Sequence, residues 1–305
     1  MDTVVNIQNV SVFYDRKKPQ ERALNDLALQ LKRGEIFGFI GPNGAGKTTT
    51  IKCLVGLLKP QQGQIRIGGY LAGSRPAKAM IGYLPETSYY YWYLTAREYL
   101  WLCGRICGIG RKELRKKIEQ TLEQVQLEVP KKKLIKHFSK GMVQKLGLAQ
   151  ALLHDPDLYI LDEPTSGLDP LARMRFRDII MDLRRRGKTV FFSSHELSEV
   201  ELISDRVAII KNGNLVQQGP MEEILKPFKA YRTILRIKDR TQLDEIGLET
   251  APIGVQDDQY EIVARSIELL PKIIEQALGA GAELHDIRPA HESLEKFYAA
   301  IVKEE

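Results

Sequence analysis

The chain has 305 residues, 43% of them hydrophobic and 28% charged, the balance of an ordinary globular protein with length for one large or two medium domains. Its apolar runs, such as 190–192 and 207–210, are far too short to span a bilayer, and the opening MDTVVNIQNV lacks the basic and apolar regions of a secretory leader, so a cytosolic chain is expected. The net charge of +6 leaves nucleic acid or an acidic surface open, but the basic runs 131–133 and 184–186 lack interleaved aromatics and read as solvated helix ends.

Residues 4–14 and 24–31 alternate as strands and pair antiparallel across the polar connection 15–22. Tyr14 ends the first strand; its ring is either a strand-end aromatic or, in a nucleotide-binding reading, a platform for a purine. The apolar run 35–40 then leads into Gly41-Pro42-Asn43-Gly44-Ala45-Gly46-Lys47-Thr48-Thr49, which fits G-x-x-x-x-G-K-[ST]. Apolar residues at Ile51, Leu54, Val55 and Leu58 make 48–58 a helix, so the motif has the strand, glycine loop and helix that it requires. Glycines let backbone N–H groups converge on an anion, and the helix N-terminus adds unpaired donors and partial positive charge. Lys47 is placed to reach terminal phosphates and Thr48 a magnesium ion.

A short strand at 64–67 follows, and 78–84 leads into Pro85-Glu86. The aromatic run Tyr89, Tyr90, Tyr91, Trp92, Tyr93 cannot all face inward on one helix or strand, so partial exposure is expected. Helical patterns at 95–107 and 111–127, and a third beginning at Ser139, make residues 86–156 an inserted helical subdomain in an alternating α/β chain. Cys53, Cys103 and Cys107 form no C-x-x-C pair and read as packing residues in a reduced compartment.

The run 158–161 is apolar on both faces, as in the middle of a parallel sheet, and ends in Asp162-Glu163, where ligands bind in open α/β sheets. A helix at 170–186, a buried strand at 189–193 closing on Ser193-Ser194-His195, a helix at 196–203, strands at 206–210 and 215–218 and a short helix at 221–225 complete a first domain, 1–227. Beyond Pro227, strands at 231–237, 248–253, 260–264 and 283–288, with helices at 242–245, 267–278 and 293–302, give the order βαββαβ. That order suggests a small ferredoxin-like α+β domain over 228–305.

At Ser139-Lys140-Gly141-Met142, followed by Gln144, these pieces join, and residues 4–225 resemble the ATP-binding cassette (ABC) ATPase family. The phosphate loop alone would not separate that family from kinases or GTPases. The ordered set does: Tyr14, Gly41 to Thr48, Glu86, Ser139 to Met142, Asp162-Glu163, Ser166-Gly167-Leu168-Asp169 and His195. The resemblance implies a P-loop NTPase with a RecA-like core, an antiparallel β-subdomain and an inserted helical subdomain. It implies ATP and Mg²⁺ as ligands. Lys47, Glu163 (general base) and His195 would be catalytic, and Thr48, Glu86 and Asp162 would serve the metal. Tyr14, residues 41–49, Ser139, Gly141 and Asp169 would bind nucleotide, the last three across an interface, so that two copies, or a copy and a paralogue, sandwich ATP head to tail.

This sequence departs from the family pattern in two motifs. The signature reads F-S-K-G-M where L-S-G-G-Q is commoner, and Glu86 stands where Gln is usual, adding a negative charge near the metal. With the S-L-E-K-F-Y segment at 293–298, these variants resemble the exporter subgroup for drugs, lipids and polysaccharides. A separate membrane permease would then carry the cargo and hold the chain at the inner face of the membrane, with residues 89–93 and Trp101 toward its coupling helix. No nucleic acid partner is expected. The alternatives are a soluble ABC-type ATPase, which the single cassette without long coiled coils disfavours, and an importer ATPase with a C-terminal regulatory domain.

Overall fold

The computed structural model describes residues 2–13, 22–225, 229–236, 253–256, 259–264, 270–279, 283–291, 294–295 and 298. It divides into two units, residues 1–220 and 221–305. The division falls before the boundary expected at Pro227, so the short helix at 221–225 goes with the second unit.

In the first unit, β1 (Thr3–Phe13) and β2 (Arg22–Lys32) pair antiparallel, from Thr3 opposite Lys32 to Phe13 opposite Arg22. β2 alternates, whereas β1 is irregular at its bulges, and the inward residues Val5, Ile7, Leu27, Leu29 and Leu31 are buried. β3 (Ile36–Ile40) has no exposed residue and leads through the glycine loop into α1 (Lys47–Leu54). α1 stops short of the expected residue 58 because Gly56 takes φ 73°, a left-handed turn out of the helix. β4 (Gln62–Ile67) and β5 (Tyr70–Leu71) complete a four-stranded sheet, order β2-β1-β4-β5.

The stretch 78–84 is divided between α2 (Arg75–Ala79) and β6 (Ile81–Leu84). The regular elements up to the next strand are all helices: α3 (Ala96–Ile106), α4 (Arg111–Gln124), a 3₁₀ turn (Ile135–His137) and α5 (Lys140–Leu152). Thr95 and Glu98 form a reciprocal capping box that starts α3. Cys53 is buried as expected, but Cys107 is exposed at the end of α3, so the packing role does not extend to it.

β7 (Leu158–Asp162), α6 (Pro170–Arg185), β8 (Thr189–Ser194), α7 (Leu197–Ile203), β9 (Arg206–Lys211) and β10 (Asn214–Pro220) follow. They build a six-stranded sheet of order β10-β9-β3-β8-β7-β6, parallel except for the edge strand β10. β3, β8 and β7 are buried along their whole length, and Phe191 lies 5.3 Å from Phe39 and 6.0 Å from Phe37 between ring centroids. All five parallel strands run the same way, so the C-terminal ends of β3, β7 and β8 open on one edge. The arginines at 184–186 pair with carboxylates: Arg184 with Asp205, Arg185 with Asp182 and Arg186 with Asp155. That agrees with a solvated helix end.

In the second unit, α8 (Met221–Leu225) precedes β11 (Lys229–Arg236), β12 (Ile253–Gln256), β13 (Gln259–Ala264), α9 (Leu270–Gly279) and β14 (Glu283–His291). The strands form an antiparallel sheet of order β12-β13-β11-β14. The first strand lies between the third and fourth, an arrangement compatible with the βαββαβ reading. The expected helix at 242–245 and most of the one at 293–302 lie outside the described residues.

Candidate functional site

The loop between β3 and α1 is shaped by glycine. Gly46 caps α1 at φ 111°, where a side chain would be strained, and no side chain caps the helix. By contrast, α3, α5 and α6 take side-chain caps from Thr95, Ser139 and Asp169. Gly46 thus leaves the start of α1 without an N-cap side chain, and a helix N-terminus beside a glycine loop is the arrangement that receives an anion. Asn43 and Gly44 are exposed at the loop's crest, and Pro42 is half-buried. Gly41 and Ala45 are buried, and the Ala45 N–H donates to the Pro42 carbonyl at 3.1 Å. Lys47 is buried; its Nζ donates to the Gly41 carbonyl at 2.7 Å and stands 3.5 Å from Glu163 Oε1. Thr49 is buried and Thr48 half-buried on the first turn of α1.

The two carboxylates that end β7 face different partners. The Ser193 hydroxyl donates to Asp162 Oδ1 at 2.6 Å, and Thr48 also hydrogen-bonds that carboxylate. Glu163 Oε1 lies toward Lys47, while its Oε2 is 2.6 Å from His195 Nδ1 and accepts the His195 backbone N–H at 3.3 Å. Adjacent carboxylates repel each other. In the structure burial is the larger effect. It holds the Asp162 carboxyl above the ordinary aspartate range; the Ser193 hydrogen bond opposes the shift, Glu86 adds to it, and Glu163 contributes least. Glu163 sits in the left-handed region at φ 47°.

A divalent cation suits this corner. Asp162 is a buried carboxylate whose charge is under-compensated, and Thr48 places a hydroxyl against it. Glu86 is exposed and touches the site through its charge. Among the described residues no cluster of three or more His, Cys, Asp or Glu side chains could hold a metal by itself. Magnesium takes one or two protein oxygens and completes its shell with phosphate and water, a demand that the Asp162 carboxylate and Thr48 hydroxyl can meet.

The structure thus brings together Lys47, Thr48, Asp162, Glu163 and His195. The other expected residues make local contacts. Ser139 Oγ accepts the Met142 N–H at 3.3 Å, capping α5, and Asp169 Oδ1 accepts the Ala172 N–H at 2.8 Å, capping α6. Gly141 lies in the first turn of α5, beside Leu168. Tyr14 lies outside the described residues. In the aromatic run, Tyr89, Tyr91, Trp92 and Tyr93 are exposed, while Tyr90 is buried edge-on against Tyr99 at 4.9 Å between ring centroids. Trp101 is half-buried under the Arg115 guanidinium.

Ser193 is the site residue whose role sequence reading missed. It lies opposite Asp162 in the parallel pairing of β7 with β8, donates to that carboxylate and accepts the Glu163 N–H at 3.0 Å. The available signal was two polar residues, Ser193 and Ser194, closing an otherwise apolar buried strand. Ser193→Ala leaves a buried N–H and a buried carboxylate each short of a partner, so unfolding should become easier by about 1–3 kcal/mol. Chemical denaturation checks this, and an unchanged midpoint would show that neither bond matters.

The sequence profile described as ABC transporter matches residues 24–166. The bacitracin transport ATP-binding protein BcrA of Bacillus licheniformis is 36% identical over 308 aligned residues, covering 99% of this chain and 98% of its own. The linearmycin resistance ATP-binding protein LnrL of Bacillus subtilis (strain 168) is 37% identical over 223 residues, 72% of this chain and 70% of that protein. A solved ATP-binding subunit of an ABC transporter superposes with a TM-score of 0.68 at 34% identity, covering 74% of this chain and 93% of its own.

Proposed function

The chain belongs to the ABC transporter family as an ATP-hydrolysing, ATP-binding subunit, and from that premise we propose that it drives export through a separate membrane permease, with MgATP held head to tail between two ATPase subunits. The observation that carries the site assignment is the grip on Glu163: a buried carboxylate at the end of β7, between the Lys47 ammonium at 3.5 Å and His195 Nδ1 at 2.6 Å. A carboxylate beside a phosphate loop is where a water-activating base is needed.

The loop N–H groups of residues 41–49 receive the phosphates, and Lys47 exchanges the Gly41 carbonyl and Glu163 for the terminal phosphate oxygens. Glu163, released on that side, takes a proton from water as the water oxygen bonds to the γ-phosphorus. The bond from that phosphorus to the β,γ-bridging oxygen breaks, ADP departs, and the proton leaves Glu163 for solvent. His195 orients the carboxylate from the exposed side. Thr48 and Asp162, with Glu86 nearby, would hold magnesium, which would supply charge neutralisation on the phosphates. Ser139, Gly141 and Asp169 complete the site from the second subunit.

Export is supported by the S-K-G-M signature and by relatives named for bacitracin transport and linearmycin resistance. The exposed Tyr89, Tyr91, Trp92 and Tyr93 suit the permease contact. The test is directional. The chain and its co-purifying membrane protein are reconstituted in vesicles with the ATPase outward, and ATP and a peptide antibiotic such as bacitracin are added outside. Export predicts ATP-dependent accumulation in the lumen; ATP-driven release of preloaded peptide would reverse the assignment.

A further inference from the structure

Helix α5 rests on the loop that follows Glu163 at three places. Gln144 Nε2 donates to the Pro164 carbonyl at 2.8 Å. Gly141 faces the Leu168 side chain. Lys140 lies over Gly167 so closely that a Cβ there would come within 2.3 Å of the Lys140 Nζ. At its other edge α5 accepts the Tyr90 hydroxyl on the Val143 carbonyl, at 3.3 Å. The helix therefore stands between the aromatic run and the loop of Glu163, and adjacent residues, Val143 and Gln144, make the two contacts.

Glu163 needs such support. A non-glycine residue stays at φ 47° only where its surroundings hold it. The Ser193 hydroxyl takes its N–H at 3.0 Å, and its carbonyl accepts the Ser166 N–H at 3.1 Å. The next point of attachment is Pro164, which has no N–H and a ring-fixed φ. Rotation about that φ cannot absorb a displacement of the Pro164 carbonyl, which leaves only the Pro164 ψ and the Glu163–Pro164 peptide to take it up.

We infer that Gln144 is a positioning residue for Glu163: by holding the Pro164 carbonyl it sets where the carboxylate stands between Lys47 and His195, and it makes turnover sensitive to displacement of α5. This rests on the reading of Glu163 as the base. Gln144 touches neither nucleotide nor water in this scheme; it acts through Pro164.

Gln144→Met keeps the volume and removes the donor, and Gln144→Glu keeps the shape and puts an oxygen against the carbonyl. Steady-state hydrolysis by the full-length chain should show kcat lower by about tenfold in both, because small misplacements of a reacting group are costly. KM for ATP should stay within about twofold, since no nucleotide contact is lost. In a Glu163→Gln background, Gln144→Met should change the single-turnover rate by less than about twofold, because the group it positions no longer acts. A kcat within about twofold of the parent in both single variants would overturn the inference. So would a loss that persists at full size in the Glu163→Gln background, or a KM that rises in step with the loss of kcat. Parent-like turnover in Glu163→Gln alone would instead remove the base, and the inference with it.

Discussion

Glu163→Gln should lower ATP turnover by about a hundred- to ten-thousandfold, the usual contribution of a positioned general base. ATP affinity should change little. The amide keeps the shape of the carboxylate and can still meet His195 Nδ1, which lies 2.6 Å from Oε2 in the parent. The charge facing Lys47 at 3.5 Å disappears, which frees the ammonium for phosphate rather than weakening its hold. The variant should therefore accumulate with ATP bound, and, if the site lies between two subunits, as an ATP-dependent dimer. Single-turnover hydrolysis, nucleotide-binding titration and sedimentation with and without ATP separate these effects. Turnover within a few-fold of the parent would remove Glu163 as the base, whatever the dimerisation result.

How much of this site could be read in advance depended on whether its determinants were local. Gly44 and Gly46 take φ 81° and 111°, so the conformation of the phosphate loop is written in its glycines. Asp162-Glu163 was legible because a fully apolar run ends there, and such a run marks an interior strand of a parallel sheet. Ser193 and Gln144 lie 31 and 20 residues from the groups they hold, and their roles come from strand register and helix placement. Neither leaves a periodic mark. The aromatic run shows the same division. Exposure of most members follows from their being consecutive, but Tyr90 turns inward against the ring of Tyr99, one helix on, and the carbonyl of Val143, 53 residues away. The limit of α1 was missed because apolar spacing continued to Leu58 past a glycine whose φ of 73° ends the helix. The two units divide at residue 220, a few residues before the conspicuous breaker Pro227, because that division follows contacts that composition does not record.

Lys47→Ala tests the loop from the side of binding, and it should also change stability. A charge-assisted hydrogen bond to phosphate is worth about 1.5–3 kcal/mol, so ATP should bind about ten- to a hundredfold more weakly. The same substitution strips the cation from a carboxylate that is 8% exposed, beside an ammonium that is 7% exposed. Removing one partner of a buried pair costs about 3–5 kcal/mol, because the remaining charge is left uncompensated. His195, whose Nδ1 lies 2.6 Å from the other carboxylate oxygen, softens that, so the lower end of the range is expected here. Lys47→Ala combined with Glu163→Gln should then recover stability toward the parent while ATP affinity stays low. Denaturation of the two variants measures the first term and nucleotide titration the second, and the two should part company. Undiminished ATP affinity in Lys47→Ala would remove Lys47 from the phosphate site. Equal destabilisation in the single and double variants would show that the ion pair with Glu163 does not hold this corner of the fold together.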